Sequence, residues 1–253
     1  MPSIAENLAN WNDPDHWRDD GNEWSESWGS SASMWFGSLL PRIQPHLPTG
    51  HLLEIACGHG RVTAHLLEHC ERFTGVDLAP TCVELCRKRF AGVAKATFRV
   101  GDGRTLPEVA AASVDFVCSW DSLVHAELDA VDGYVRELAR VLRPGGAAFL
   151  HHSNLAACLA EAGGAGVPNP HWRASSVSAV VVQRLAAASG LACEAQEVLQ
   201  WGGEVWNDCF TLLRRPIGDQ VAAPTRSSRH PSFALELEHF RRLDSLWRSR
   251  AGR

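Results

Sequence analysis

Leu52-Leu53-Glu54-Ile55-Ala56-Cys57-Gly58-His59-Gly60-Arg61-Val62-Thr63 is the stretch on which the reading of this chain turns. Its first half is a short apolar run of the kind that forms a buried strand, and a helix is expected from about Arg61 onward. Between them, Gly58 and Gly60 remove side chains where an approaching ligand would meet the backbone. Glu54 places a carboxyl inside the strand just ahead of the turn. A strand, a small-residue turn and a helix in this order bind something, and the surrounding residues decide what.

Two ligands suit such a unit. A dinucleotide asks for three glycines spaced G-x-G-x-x-G and rests its pyrophosphate on the helix N-terminus. Here the third position is Thr63, and Glu54 would bring negative charge towards a phosphate. S-adenosylmethionine has no phosphate and carries an ammonium and a sulfonium, which nearby carboxylates favour. The stretch resembles motif I of the class I S-adenosylmethionine-dependent methyltransferases, an acidic residue followed by alternating small residues. Those residues are Glu54, Ala56, Gly58 and Gly60, with Ala56 where the family usually has glycine. An NAD-dependent oxidoreductase, and a protein that binds S-adenosylmethionine without transferring its methyl group, are the alternatives outside that class.

The composition narrows the field. A chain of 253 residues is long enough for one large domain or two small ones. Its 45% hydrophobic and 21% charged residues are those of an ordinary globular enzyme. A net charge of −5 and the lack of a basic run argue against a nucleic-acid partner. The eight cysteines form no C-x-x-C pair, so they read as small buried hydrophobes rather than zinc ligands or a disulfide framework. No run approaches the ~20 apolar residues of a membrane span. No export signal opens the chain, so a cytoplasmic protein is expected.

Tryptophan is the oddity, because five of the ten fall at positions 11, 17, 24, 28 and 35. They suit a cap packed on the main domain. They also suit an aromatic lid over a sulfonium, which the face of an indole attracts.

Three segments are expected: a tryptophan-rich helical cap over 1–48, the ligand-binding domain over 49–215, and a linker with an amphipathic helix over 216–253. Asp13-Pro14 reads as a helix start. A later helix carrying Trp35, Leu39 and Leu40 is expected to be interrupted by Pro41 and Pro45. From residue 51 strands and helices alternate, the pattern of an α/β fold with a parallel sheet. Strands are expected at about 51–56, 72–77, 96–100, 114–119, 147–151, 192–199 and 207–213. Residues 156–175 read as a loop or insertion, and Pro216 to Pro231 as a polar linker. Phe233, Leu237, Phe240, Leu243 and Trp247 share one helical face that docks on the domain or on a second subunit, making a homodimer.

Asp77 ends the second strand about 17 residues after Gly60, near the spacing at which a carboxylate meets ribose hydroxyls. Gly101-Asp102-Gly103 resembles the family's adenine motif, and Arg143-Pro144-Gly145-Gly146 its recurrent turn before strand five. Taken with motif I, these landmarks cover residues 52 to about 151 in the family's order. The resemblance implies a Rossmann-like, seven-stranded, mostly parallel sheet with helices on both faces and one antiparallel strand, plus the N-terminal cap and C-terminal helix. The cofactor site so implied comprises Glu54, Ala56, Gly58, Gly60, Arg61, Asp77, Leu78, Asp102, Gly103, Ser119 and Trp120. Trp28 and Trp35 would come from the cap, and S-adenosylhomocysteine would be the product.

Methyl transfer is an in-line displacement in which the enzyme aligns the partners and excludes water. A hydroxyl acceptor must also lose a proton, so a base is needed. His125 lies just past strand four, and His151 and His152 end strand five. His125 is the first candidate and His152 the second, because neighbours on a strand face opposite ways. Asp121, Arg173, Trp201 and Asp208 are candidate acceptor-binding residues, Arg173 for a carboxylate or phosphate. Asp121 with His152 or Asn154 also resembles the positions from which some small-molecule O-methyltransferases hold Mg²⁺, although Mg²⁺ prefers more oxygen ligands than these supply. The Trp-Asp-Ser-Leu-Val-His and His-His-Ser-Asn stretches, with Glu197 to Trp201, resemble bacterial methyltransferases acting on sugars or specialised metabolites. The expected reaction is O-methylation of a small molecule, with N-methylation as the alternative.

Overall fold

The computed structural model describes residues 2–164, 166–218 and 223–247. Met1, Ala165 of the expected loop, 219–222 of the expected linker and 248–253 of the terminal segment lie outside the described residues.

A capping box starts the first helix, α1 (Ile4–Trp11). Glu6 N donates to Ser3 Oγ at 3.2 Å and Ser3 N donates back to Glu6 Oε2 at 2.8 Å. Asp13-Pro14 starts only one 3-10 turn, Pro14–His16, followed by a second 3-10 stretch, Asn22–Trp28. Next, α2 (Ser31–Met34), a π turn (Trp35–Leu39) and α3 (Leu40–Ile43) run on without a break. Pro41 therefore does not interrupt the helix as expected. It has no N–H to give, and the backbone ahead of it adopts the wider register, with Leu40 N bonding to Trp35 O.

The sheet contains β1 (Thr49–Ile55), β2 (Cys70–Asp77), β3 (Ala96–Val100), β4 (Val114–Leu123), β5 (Leu142–Ser153), β6 (Ala192–Leu199), β7 (Asp208–Arg214) and β8 (Arg226–His230). Their order is β3-β2-β1-β4-β5-β7-β6-β8. The first five strands pair in parallel, while β7 runs antiparallel to both β5 and β6. The eighth strand corrects the expected seven, and it lies inside the stretch read as linker. Arg226-Ser227-Ser228-Arg229-His230 shows no apolar alternation because almost all of it faces solvent, and backbone pairing to β6 holds it. The helices between and after the strands are α4 (Thr63–Leu66), α5 (Pro80–Arg89), α6 (Leu128–Val141), α7 (Leu155–Glu161), α8 (Ala179–Ala188) and α9 (Phe233–Trp247). The α7 helix occupies part of the expected 156–175 loop.

Alternation along the strands divides the core between two faces. Leu52, Phe73, Phe116 and Phe149 join Trp28, Trp35 and Leu39 of the cap and Val83 of α5. Leu53, Val117 and Leu150 join Leu138 of α6 and Val182 of α8 on the other. The α9 helix docks on the cap. Phe233 is buried, Asp244 accepts from Ser30 Oγ at 2.6 Å, and Arg42 reaches both Glu197 (2.7 Å) and Glu236 (3.3 Å).

Candidate active site

The carboxyl ends of β1, β2 and β4 open into a cavity of ≈ 700 Å³, roofed by the cap. Its floor is the turn after β1, where Ala56, Gly58 and Gly60 all take positive φ (60°, 53° and 85°). The two glycines differ in use. Gly58 lines the cavity, and a Cβ there would lie 2.9 Å from the Trp17 ring. Gly60 lies behind the wall, where a Cβ would meet the Phe90 ring at 2.5 Å, so it serves packing.

Two carboxyl groups face this floor. Glu54 is buried and hydrogen-bonded to Thr63 Oγ1; burial pushes its carboxyl up to about 8 despite that bond. Asp77 accepts from Gly58 N at 2.7 Å and from Ala79 N at 2.8 Å, so it closes the turn and also lines the cavity. Burial raises its carboxyl above the usual range, and the backbone N–H groups partly offset this. Each carboxylate oxygen has a second lone pair for a ligand hydroxyl. Leu78 and Gly103 line the wall beyond β2 and β3.

Helix α1 lies across the strand ends. Asn7 Nδ2 donates to His125 O at 2.8 Å, and Thr81 N donates to Asn12 Oδ1 at 3.1 Å. These contacts place Trp11, Trp17 and Trp24 on the cavity. Trp17 stacks on His59 at 3.9 Å and 14° between planes. Both His59 ring nitrogens are buried without a hydrogen-bond partner among the described residues, and burial lowers the imidazole below its usual value.

The rest of the wall comes from the loop after β4 and the 169–173 loop. His125 Nδ1 donates to Trp172 O at 3.0 Å, which leaves Nε2 as the ring's lone-pair nitrogen. Enclosure beneath the cap lowers this imidazole to about 4, with the Arg173 charge adding to the effect. Arg61 gives Nη1 to Ser25 Oγ (2.8 Å) and Nη2 to Asp121 Oδ2 (3.1 Å), which ties cap, turn and β4 together. Arg173 forms a two-pronged pair with Asp208, Nε to Oδ1 at 2.9 Å and Nη2 to Oδ2 at 2.8 Å, beneath the Trp201 ring. Burial would raise the Asp208 carboxyl, but the Arg173 charge and the His151 hydrogen bond outweigh it and hold it at about 2. Asp121 (φ 55°) and Trp172 (φ 54°) join Ala56 as non-glycine residues held left-handed on this cavity, a strain typical of functional sites.

Several expected site residues lie elsewhere. His151 is fully buried behind the wall, with Nδ1 accepting from Asp121 N (3.1 Å) and Nε2 donating to Asp208 (2.9 Å). His152, on the opposite face, is held between Ser153 O and Thr211 Oγ1, and burial lowers it to about 4. Neither ring reaches the cavity, so His125 is the one of the three that does. Asp102 is exposed and turned back on its own loop, accepting from Arg104 N, Thr105 N and Thr105 Oγ1; only Gly103 of that motif faces the cavity. Trp28 and Trp35 are core residues, Trp28 bonded to Ser38 and Trp35 stacked on His65. Ser119 is buried and its neighbour Trp120 lines the cavity; among the described residues neither the Ser119 hydroxyl nor the buried Trp120 Nε1 has a hydrogen-bond partner. Asp208 does not line the cavity; it reaches it through Arg173 and, by way of His151, through the Asp121 backbone. Among the described residues no group of metal-ligating side chains converges for the Mg²⁺ alternative: Asp121 bonds Arg61, His152 bonds Thr211 on the other face, and Asn154 bonds the backbone.

Sequence reasoning missed His171 and Trp172. The signal available was the Asn169-Pro170-His171-Trp172-Arg173 run, aromatic and basic inside a loop. It also missed His59, although the residue sits inside the quoted turn.

The floor fits a phosphate-free, positively charged nucleoside. It offers the Asp77 carboxylate, the buried Glu54 carboxyl and a glycine turn closely approached by an indole. Comparison with known proteins agrees. Residues 52–146 match the methyltransferase domain family. The biotin biosynthesis bifunctional protein of Cellvibrio japonicus is 35% identical over 112 residues, 44% of this chain and 21% of that protein. The fatty-acid O-methyltransferase of Mycolicibacterium smegmatis is 32% identical over 101 residues, 38% of this chain and 34% of that protein. The chain spans between 21% and 37% of the length of the curated relatives it matches. In fold it is similar to the N-methyltransferase NodS of Bradyrhizobium japonicum solved with S-adenosylhomocysteine. That likeness has a TM-score of 0.58 and 17% identity, covering 85% of this chain and 99% of that one. Among the described residues no helix is long and apolar enough to cross a membrane.

Proposed function

We propose that this chain, whose residues 52–146 match the methyltransferase domain family, is a class I S-adenosylmethionine-dependent methyltransferase that methylates a hydroxyl of a small molecule such as a sugar or specialised metabolite. Bound S-adenosylmethionine supplies an electrophilic methyl group and leaves as S-adenosylhomocysteine. The chain's own residues do the rest. Asp77 offers carboxylate oxygens to ribose hydroxyls, Glu54 and the Ala56–Gly60 turn receive the amino-acid end, and Arg61 retains N–H groups for its carboxylate. Leu78 and Gly103 form the wall for the base. The cap, through Trp11, Trp17 and Trp24, excludes water from the reacting centre, where partners must be held at contact distance.

His125 takes the hydroxyl proton on Nε2. Its Nδ1–H is anchored on Trp172 O, which sets the tautomer and aims the lone pair. The observation that carries the proposal is that Glu54, Asp77, Gly58, Asp121 and His125 line one shared cavity. Incubation of the full chain with methyl-labelled S-adenosylmethionine and a panel of hydroxylated and amine-bearing small molecules tests it. Label should appear on oxygen in a hydroxylated member. Label only on amine nitrogens would replace the O-methylation assignment with N-methylation, and binding without transfer to any member would favour a non-catalytic binding protein.

A further inference from the structure

We infer that the methyl acceptor enters this cavity without a carboxylate or phosphate group, and that Asp208 enforces this by neutralising Arg173. The inference rests on the methyltransferase proposal and narrows its acceptor class. Arg61 and Arg173 are the cationic residues on the cavity wall among the described residues, and each is already paired with a carboxylate. The Arg173 pair is the tighter. Both residues are buried, two parallel N–H···O bonds join them, and a further Nη1 bond runs to His171 O at 3.2 Å. With three of its five N–H groups spent in this way, the guanidinium forms with Asp208 a pair that carries no net charge. An anion desolvated beside such a pair would have no compensating charge, which is costly in a site screened from water.

The other lining acids besides Glu54, Asp77 and Asp121 are Glu23, Glu26, Glu127 and Asp129, of which Glu26 and Asp129 pair with Arg18 and Arg104 off the cavity wall. Glu23 is buried and accepts from Arg18 N (2.9 Å) and Asp19 N (3.1 Å), and Glu127 accepts from Ser175 N (3.1 Å) and Ser176 N (3.0 Å). Both line the cavity with backbone partners but no cationic one in those bonds, as does Asp77. His59, His125 and His171 are all lowered by burial and offer little positive charge at neutral pH. The cofactor's carboxylate would take what Arg61 has left. An uncharged polyol or alcohol suits the acceptor side, where carboxylates accept from hydroxyls and indole faces cover C–H surfaces. Arg173, read from the sequence as a carboxylate or phosphate receptor, is thus the residue whose charge has been silenced.

The test pairs two measurements on the full chain. Calorimetric titration of the S-adenosylhomocysteine-bound chain with inorganic phosphate and with octanoate should show no binding to the wild type. D208N, which leaves the guanidinium uncompensated, should bind at least one of these anions at least tenfold more tightly. Matched acceptors (neutral hexoses against hexuronic acids and hexose phosphates, fatty alcohols against fatty acids) should be methylated only in their neutral forms. Anion binding by the wild type at Arg173, abolished in R173Q, overturns the inference, as does transfer to an anionic member in preference to its neutral match. A folded D208N that gains no anion affinity assigns Asp208 a purely structural role and also overturns it. If D208N fails to fold, the wild-type titrations and matched acceptors still decide. Failure of S-adenosylhomocysteine to bind at all counts instead against the methyltransferase proposal.

Discussion

Replacing His125 by alanine separates proton transfer from cofactor binding. The imidazole spends its Nδ1–H on Trp172 O at 3.0 Å, so one local effect is loss of a hydrogen bond worth about 0.5–1.5 kcal/mol. That loss falls on stability and on the order of the 169–173 loop. The catalytic effect is separate: a positioned base contributes about 10²–10⁴-fold, and kcat should fall by that factor. Cofactor affinity should hold, because Glu54, Asp77 and the glycine turn are untouched. The same ring predicts a pH profile. With the imidazole lowered to about 4, it is already unprotonated at pH 5 and above, so the acid limb of kcat/KM should fall near pH 4. An unperturbed histidine would place that limb near about 6.5. Steady-state rates at saturating S-adenosylmethionine, with calorimetric titration of S-adenosylhomocysteine on both proteins, provide the comparison. A His125→Ala enzyme at full rate would refute the assignment, and a limb near 6.5 that the substitution leaves in place would assign proton transfer to another group.

Two further outcomes follow from the floor of the cavity. Asp77→Asn replaces an oxygen that accepts from Gly58 N or Ala79 N with an amide that cannot, so S-adenosylhomocysteine affinity should drop by about 1–3 kcal/mol in a calorimetric titration; unchanged affinity would reduce Asp77 to a turn residue. Glu54 and His152 give opposite pH dependences. Glu54 binds its proton more tightly folded than unfolded, so its contribution is full below about 4.5 and is lost as pH rises towards 8. His152, lowered to about 4, is the reverse: the unfolded chain takes up the proton first, so stability rises with pH up to about 6.5, and His125 adds to that rise. Ligand-free protein should therefore lose stability between pH 6.5 and 8 by up to about 1.4 kcal/mol per unit, and Glu54→Gln should remove this decline in urea unfolding. A decline that persists in Glu54→Gln would assign it to another group.

Much of the fold was legible because parallel strands buried on both faces are largely apolar, as in Leu52 to Ile55 and Val114 to Cys118, each interrupted by a single acid, Glu54 or Asp115. The edge strand β8 was not, since Arg226–His230 has almost no buried side chain to pattern. The α1 helix was legible and passed over: Ser3 and Glu6 spell its capping box. At the site, Glu54, Asp77 and the glycines were readable because local spacing along one strand–turn–helix unit places them. Asp102 had the expected position but not the expected direction, because Thr105, three residues on, captures its carboxylate. His151 and His152 were misjudged for a different reason. The groups that occupy their nitrogens, Asp208 and Thr211, arrive from β7 through antiparallel pairing 57 and 59 residues later. The tryptophans divide by depth: Trp28 and Trp35 close the core, while Trp11, Trp17 and Trp24 face the cavity. Both uses draw on the same apolar surface, so sequence alone does not separate them.

Everything at this site depends on a floor built for a cationic, phosphate-free nucleoside, and calorimetric titration of the full chain with S-adenosylhomocysteine and, separately, with NAD tests that most directly. Saturable binding of S-adenosylhomocysteine, with none of NAD, is the predicted result. Binding of NAD without S-adenosylhomocysteine would contradict it.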